Sequence, residues 1–201
     1  MFRNFATVAL LLVGTAASAA AQDAEAVEPR NTPGLPDHLQ PIDDVLTGGL
    51  LNDPTDLDWD YYGLGRELVV DEAYPGGGAA LRIAMGSSGP VYAGGVNIPL
   101  LGRIRNGEQI TVGFYARTIQ SEASGGKGQV FVRFQQDREP YPGFGDTMVE
   151  VGPEWQWYEV TARADRSIRR DGIVALQFGR ARQTVEVGQA IVVNGTSTVG
   201  L

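Results

Sequence analysis

No cysteine occurs among the 201 residues, and there is one histidine, His38. The lack of cysteine rules out a disulfide framework, a thiol nucleophile and a lipid-attachable cysteine behind a leader, so stability must come from a packed core. Nucleophilic catalysis or metal binding through histidine would depend on His38 alone, which lies in a proline-rich stretch with little to bury. Lysine is almost as scarce, since Lys127 stands alone beside 15 arginines. The glycine run 76–78 lacks the Lys-Ser/Thr of a phosphate-binding loop. Beyond the N-terminus no apolar run reaches the ~20 residues needed to span a bilayer.

The first 21 residues read as a cleavable signal peptide. Arg3 supplies the positive start, residues 5–14 a short apolar stretch, and Ala19 and Ala21 the small-x-small cleavage pattern before Gln22. The mature protein is therefore expected to be secreted or periplasmic, with no membrane anchor after cleavage. Residues 22–47 carry Pro29, Pro33, Pro36 and Pro41 among six acids and Arg30, and read as a disordered acidic tether. Residues 48–201 hold 14 basic and 18 acidic residues. That balance gives no cationic footprint for nucleic acid.

From residue 48 the pattern becomes one of short β-branched and aromatic runs between Gly, Pro, Asn and Asp turns. Strands are predicted at 66–70, 79–85, 92–98, 109–118, 129–136, 147–151, 157–163, 173–178 and 188–193. No stretch shows a convincing helical period. Strands of this length and spacing predict an all-β fold, a two-sheet antiparallel β-sandwich.

Alternation along three strands separates two faces. Val112, Phe114 and Ala116, then Val130, Val132 and Phe134, then Val174, Leu176 and Phe178 form one aliphatic and aromatic face. Tyr115, Arg117, Phe131, Arg133, Gln135, Ile173, Ala175 and Gln177 point the other way. Such a polar face is either the solvated side of a half-buried sheet or a ligand groove. Aromatic rings pack on the apolar faces of sugars, and Arg and Gln supply the donors and acceptors that hydroxyls need. Tyr115, Arg117, Arg133, Gln135 and Gln177 are the candidate groove residues, with Tyr92, Tyr141 and Trp157 as stacking platforms.

The carboxylates give no clear catalytic pair. Glu139, Asp146, Glu150, Glu154 and Glu159 are available for glycoside cleavage, yet none sits in a distinguishing motif, so no catalytic residue is assigned. Asp56, Asp58, Asp60 and Glu67 imitate EF-hand spacing, but Tyr61 stands where the loop requires Gly.

Several pieces, in order, resemble a carbohydrate-binding module of the cellulose- and xylan-binding type (the CenC-like modules of families four and nine). They are Gly77-Gly-Ala-Ala-Leu-Arg-Ile83, Gly107-Glu-Gln-Ile-Thr-Val-Gly-Phe-Tyr-Ala-Arg-Thr118, Val130-Phe-Val-Arg-Phe134, Glu154-Trp-Gln-Trp-Tyr-Glu-Val160 and Val187-Gly-Gln-Ala-Ile-Val-Val-Asn194. The resemblance implies a galactose-binding-like jelly roll with a glycan groove on one sheet and a carbohydrate ligand. It also admits a structural Ca²⁺, although Gln189 or a neighbour stands where such modules often carry an Asp ligand. No other cofactor and no metal-ligating residue is expected. Two rival functions stay open at this point: an envelope protein-interaction or structural module, and a jelly-roll glycoside hydrolase or polysaccharide lyase.

Overall fold

The computed structural model describes residues 29–46, 48–70, 73–75, 78–169, 171–196 and 198. The signal peptide and residues 22–28 of the expected tether lie outside the described residues. The described residues form ten strands, in order: β1 (Asp60–Tyr62), β2 (Gly65–Val70), β3 (Ala79–Met85), β4 (Gly95–Pro99), β5 (Gln109–Ser121), β6 (Gly128–Gln136), β7 (Gly143–Val151), β8 (Gln156–Arg163), β9 (Gly172–Gln177) and β10 (Gln183–Asn194). They form two five-stranded sheets, ordered β1-β4-β9-β6-β7 and β2-β3-β10-β5-β8, with every pairing antiparallel.

Two-residue alternation dictates the core. Val112, Phe114, Ala116, Val130, Val132, Phe134, Val174, Leu176 and Phe178 are all fully buried between the sheets, together with Leu81, Ile83, Val96, Ile98, Val185 and Val187. Trp59 precedes β1 and is the largest side chain in this layer, 1% exposed. Gln183 links the sheets: its side chain bonds the backbone of Gln129 in β6 in both directions and donates to the Phe178 carbonyl.

The expectation of a disordered tether fails for residues 29–46. A 3₁₀ turn (Asp37–Leu39) leads into a six-residue helix, α1 (Gln40–Val45). Leu35 and Leu39 bury with Leu50 and Val193 in a second small cluster. The buried Asp43 carboxylate accepts from the Leu50 N–H and the Thr32 hydroxyl, both at 2.6 Å. A Cβ on Gly49 (φ +80°) would fall 2.4 Å from Arg30 Nη1 and 2.8 Å from Asp43 Oδ1, so the strap requires glycine there. Beyond it, Leu50 bridges Val193, and the Asn52 side chain donates to Ala190 O and accepts from Val192 N within β10. Acidic, proline-rich composition was outweighed by a few leucines with an apolar surface to cover and one buried carboxylate with two donors.

Candidate functional site

The outer face of the first sheet carries three cross-strand rows. Tyr62 (β1), Gly95 (β4), Gln177 (β9), Phe131 (β6) and Met148 (β7) are in register in one row. Asp60, Asn97, Ala175 and Arg133 form the next, and Pro99, Ile173, Gln135 and Gly143 the third. Successive rows are about 7 Å apart, two residues of strand rise. Gly95 and Ala175 keep the middle low. A Cβ on Gly95 would lie 2.8 Å from the Tyr62 hydroxyl, and one on Gly143 would lie 2.7 Å from Arg133 Nε. Small residues therefore leave room for the polar ends of the larger ones.

Two turns raise the walls. Tyr92 sits in a 3₁₀ turn (Val91–Ala93) tied to the end of β9 by the bonds Gly89 N to Gly179 O (2.7 Å), Gly179 N to Val91 O (3.1 Å) and Phe178 N to Gly94 O (2.9 Å). A Cβ on Gly179 would come within 2.0 Å of the Pro90 carbonyl, which fixes this approach. On the other side Tyr141 has φ +55°, a region that side-chain-bearing residues rarely occupy. Its N–H bonds Arg138 O at 2.7 Å, and Gln136 N bonds Pro142 O at 3.0 Å.

The result is a groove of about 630 Å³. Tyr62, Tyr92 and Tyr141 are 38%, 66% and 46% exposed around it, while Gln135 and Gln177 are nearly buried beneath. Gln177 Nε2 donates to the Tyr62 hydroxyl at 3.3 Å. Burial pushes that hydroxyl above its ordinary value, with Asp137 and Tyr141 adding to the rise, so Tyr62 is a neutral donor at physiological pH. Asn97 is in the lining, and its buried Oδ1 has no hydrogen-bond partner among the described residues. Arg133 is held by an ion pair with Asp146. Asp137 is the one carboxylate among the described residues of the lining.

Of the residues predicted from sequence, Tyr92, Arg133, Gln135, Tyr141 and Gln177 come together here. Tyr115, Arg117 and Trp157 do not. They lie on the outer face of the second sheet, because β5 pairs with β10 on one side and with the edge strand β8 on the other. Trp157 lies across Gly113, where a Cβ would meet its ring at 2.3 Å, and its centroid is 4.9 Å from that of Tyr115. Tyr74 packs on Tyr115 and Trp155, and its hydroxyl accepts from Gln189 N at 2.6 Å. Arg117 is clamped by Glu186, a carboxylate with no exposure, which also takes two bonds from Arg82, and its guanidinium lies over Trp155. These side chains pack on one another as a half-buried aromatic and ionic cluster. Tyr62, Val91, Asn97 and Asp137 were not among the groove residues predicted from sequence, and β1 is too short to carry a periodic signal for the first.

Comparison with protein-family models found no match, and neither did comparison with curated protein sequences. Solved structures do match. One is the N-terminal cellulose-binding domain of Cellulomonas fimi β-1,4-glucanase C, at 19% identity and TM-score 0.50, covering 69% of this chain and 90% of that one. This chain has that jelly-roll fold. A second match is an arabinose-bound GH51 α-L-arabinofuranosidase, at 13% identity and TM-score 0.58, covering 75% of this chain but 28% of the enzyme. In the jelly roll described here, no three His, Cys, Asp or Glu side chains among the described residues converge as a metal site. Of the residues with EF-hand-like spacing, Asp56 accepts from the Asp58 N–H and Asp58 pairs with Arg66. No described helix is long and apolar enough to cross a membrane.

Proposed function

We propose that this is an exported carbohydrate-binding protein that holds a poly- or oligosaccharide in the groove of the first sheet without cleaving it. The observation that carries the reading is the groove lining: three exposed tyrosines stand around buried amides, with an unpaired acceptor at Asn97. Rings of this kind cover the apolar faces of sugars while the amides and the Tyr62 hydroxyl satisfy the ring hydroxyls. Hydrolysis by paired carboxylates needs two facing acids, and the groove offers Asp137 alone. The leader-like first 21 residues support placement outside the cytoplasm.

The test is affinity electrophoresis and calorimetry of the mature chain against plant, algal and bacterial glycans, with Tyr92→Ala/Tyr141→Ala as the variant. A sugar face hides on the order of 50 Å² of each ring, so losing both costs about 2 kcal/mol, or ~30-fold in affinity. Both rings are largely exposed, so the melting temperature should move by less than ~2 °C. Silence of the wild type across the panel would overturn the reading, as would reducing-sugar release by the pure protein.

A further inference from the structure

A second cleft, of about 860 Å³, opens at one end of the sandwich and is lined by Arg103, Arg105, Arg138 and Arg169. These arginines are presented from a fixed frame. Ile104 and Ile168 are buried, 1% and 3% exposed, and bond each other through both backbone pairs at 2.8 and 2.9 Å. Their sequence neighbours Arg103, Arg105 and Arg169 are exposed. Arg138 follows Asp137, whose N–H bonds Asp171 O at 2.7 Å.

The charges in this cleft are not balanced. Arg105 is paired with Glu108 at 3.3 Å, and Asp171 is the one acid among the described residues of the lining. Arg103, Arg138 and Arg169 have no ion pair or side-chain hydrogen bond with any described residue. Three such guanidiniums in one concavity repel one another, on a chain whose net charge is -8. An anion relieves that repulsion, and the guanidinium fork matches a carboxylate or sulfate through two parallel hydrogen bonds.

The cleft adjoins the groove at the C-terminal end of β6. Gln135 and Asp137 line the groove, while the alternate residues Gln136 and Arg138 line the cleft. Arg133 and Arg138 are separated by at most about 18 Å of extended chain, within the span of a short oligosaccharide.

We propose that this cleft takes the carboxylate or sulfate groups of an acidic polysaccharide whose neighbouring sugars occupy the groove. The proposal rests on the groove being a glycan site. An acidic glycan is proposed in preference to a nucleic acid because the cleft adjoins the tyrosine- and amide-lined groove read as the sugar site.

The experiment compares charged and neutral forms of the same polymers on the mature chain: alginate and polygalacturonate against their methyl esters, and a sulfated galactan against its desulfated form. Single-stranded DNA serves as the plain polyanion. The charged form of at least one polymer should bind about tenfold or more tightly at low salt, with the preference shrinking as salt rises. The pair that responds identifies carboxylate or sulfate as the group. Arg103→Gln/Arg138→Gln/Arg169→Gln should bring charged and neutral binding together, while the corresponding triple Lys variant keeps part of the preference and controls for folding.

Equal binding of charged and neutral forms overturns the proposal. So does an unchanged preference in the triple Gln variant, or DNA binding as tight as the best charged glycan. If neutral glycans bind, lose affinity in Tyr92→Ala/Tyr141→Ala and gain nothing from charge, the groove reading stands and the cleft proposal alone falls. If a charged glycan binds and only the arginine variant weakens it, the groove reading fails instead.

Discussion

Replacing Glu186 with alanine separates the two outer faces of the sandwich most cleanly. The carboxylate is fully buried and takes four charge-assisted bonds: from Arg82 Nε and Nη2 at 2.9 and 2.7 Å, and from Arg117 Nε and Nη2 at 2.8 and 2.7 Å. Removing one partner of a buried ionic cluster costs about 3–5 kcal/mol, because the remaining charges lose their counter-ion. The stranded groups here are only partly buried, with side chains 42% and 24% exposed for Arg82 and Arg117, and water screens them. The lower end, about 3 kcal/mol, is therefore the expectation, and for a domain of this size it lowers the melting temperature by ~6–12 °C. Glu186→Gln keeps the shape and some acceptors, so it should lie between the variant and the wild type. Glycan affinity measured well below the melting point should not change, since the groove is on the opposite sheet, about 10 Å of core away. A Glu186→Ala protein melting within 2 °C of the wild type would refute the buried-clamp account. A loss of glycan binding without a loss of stability would return Arg117 to the ligand site.

Asp43→Ala should free the strap: it leaves the Leu50 N–H and the Thr32 hydroxyl without an acceptor, at a cost of about 2 kcal/mol. Faster trypsin cleavage after Arg30, with a lower melting temperature, is the expected readout, and wild-type cleavage kinetics would count against it. Alkaline pH probes Tyr62 and Tyr74, whose hydroxyls are both raised, chiefly by burial. The native state then holds protons that the unfolded chain releases near pH 10, so this stabilisation is complete below that pH and disappears as pH climbs through the native values. Ultraviolet titration of phenolate formation should show a late-ionising fraction that vanishes in denaturant. A single transition at the ordinary tyrosine value would contradict the burial of these hydroxyls.

The inner face was legible in the sequence because it depends on a period of two within each strand. Val130, Val132 and Phe134 point into the core wherever β6 is placed. What alternation cannot supply is the sheet to which a strand belongs. Tyr115 and Arg117 share the alternation of Arg133 and Gln135, yet β5 pairs with β10 and β8 while β6 pairs with β9 and β7. That sorting is set by contacts far apart in the chain, so one predicted face was in fact two. Short elements were lost for a related reason. β1 is three exposed residues with no periodic signal of their own, and the prolines of residues 29–46 mask Leu35 and Leu39, which bury against Leu50 and Val193 from far along the chain. The stretch predicted as strand from residue 92 begins instead with the 3₁₀ turn that carries Tyr92, and the turn exists because Gly179 admits the chain so closely.

The Glu186 clamp has a consequence for how readily this protein could change what it recognises. Its ionic and aromatic cluster is on one sheet, and the groove is on the other, with the apolar core between them. Sites that share no partner contribute nearly independently to stability. Tyr92 and Tyr141, on turns tied down by backbone bonds, can be exchanged without disturbing the ladder beneath them. Ligand preference can thus drift, or be redesigned, on a scaffold whose reserve of stability is kept on the far side.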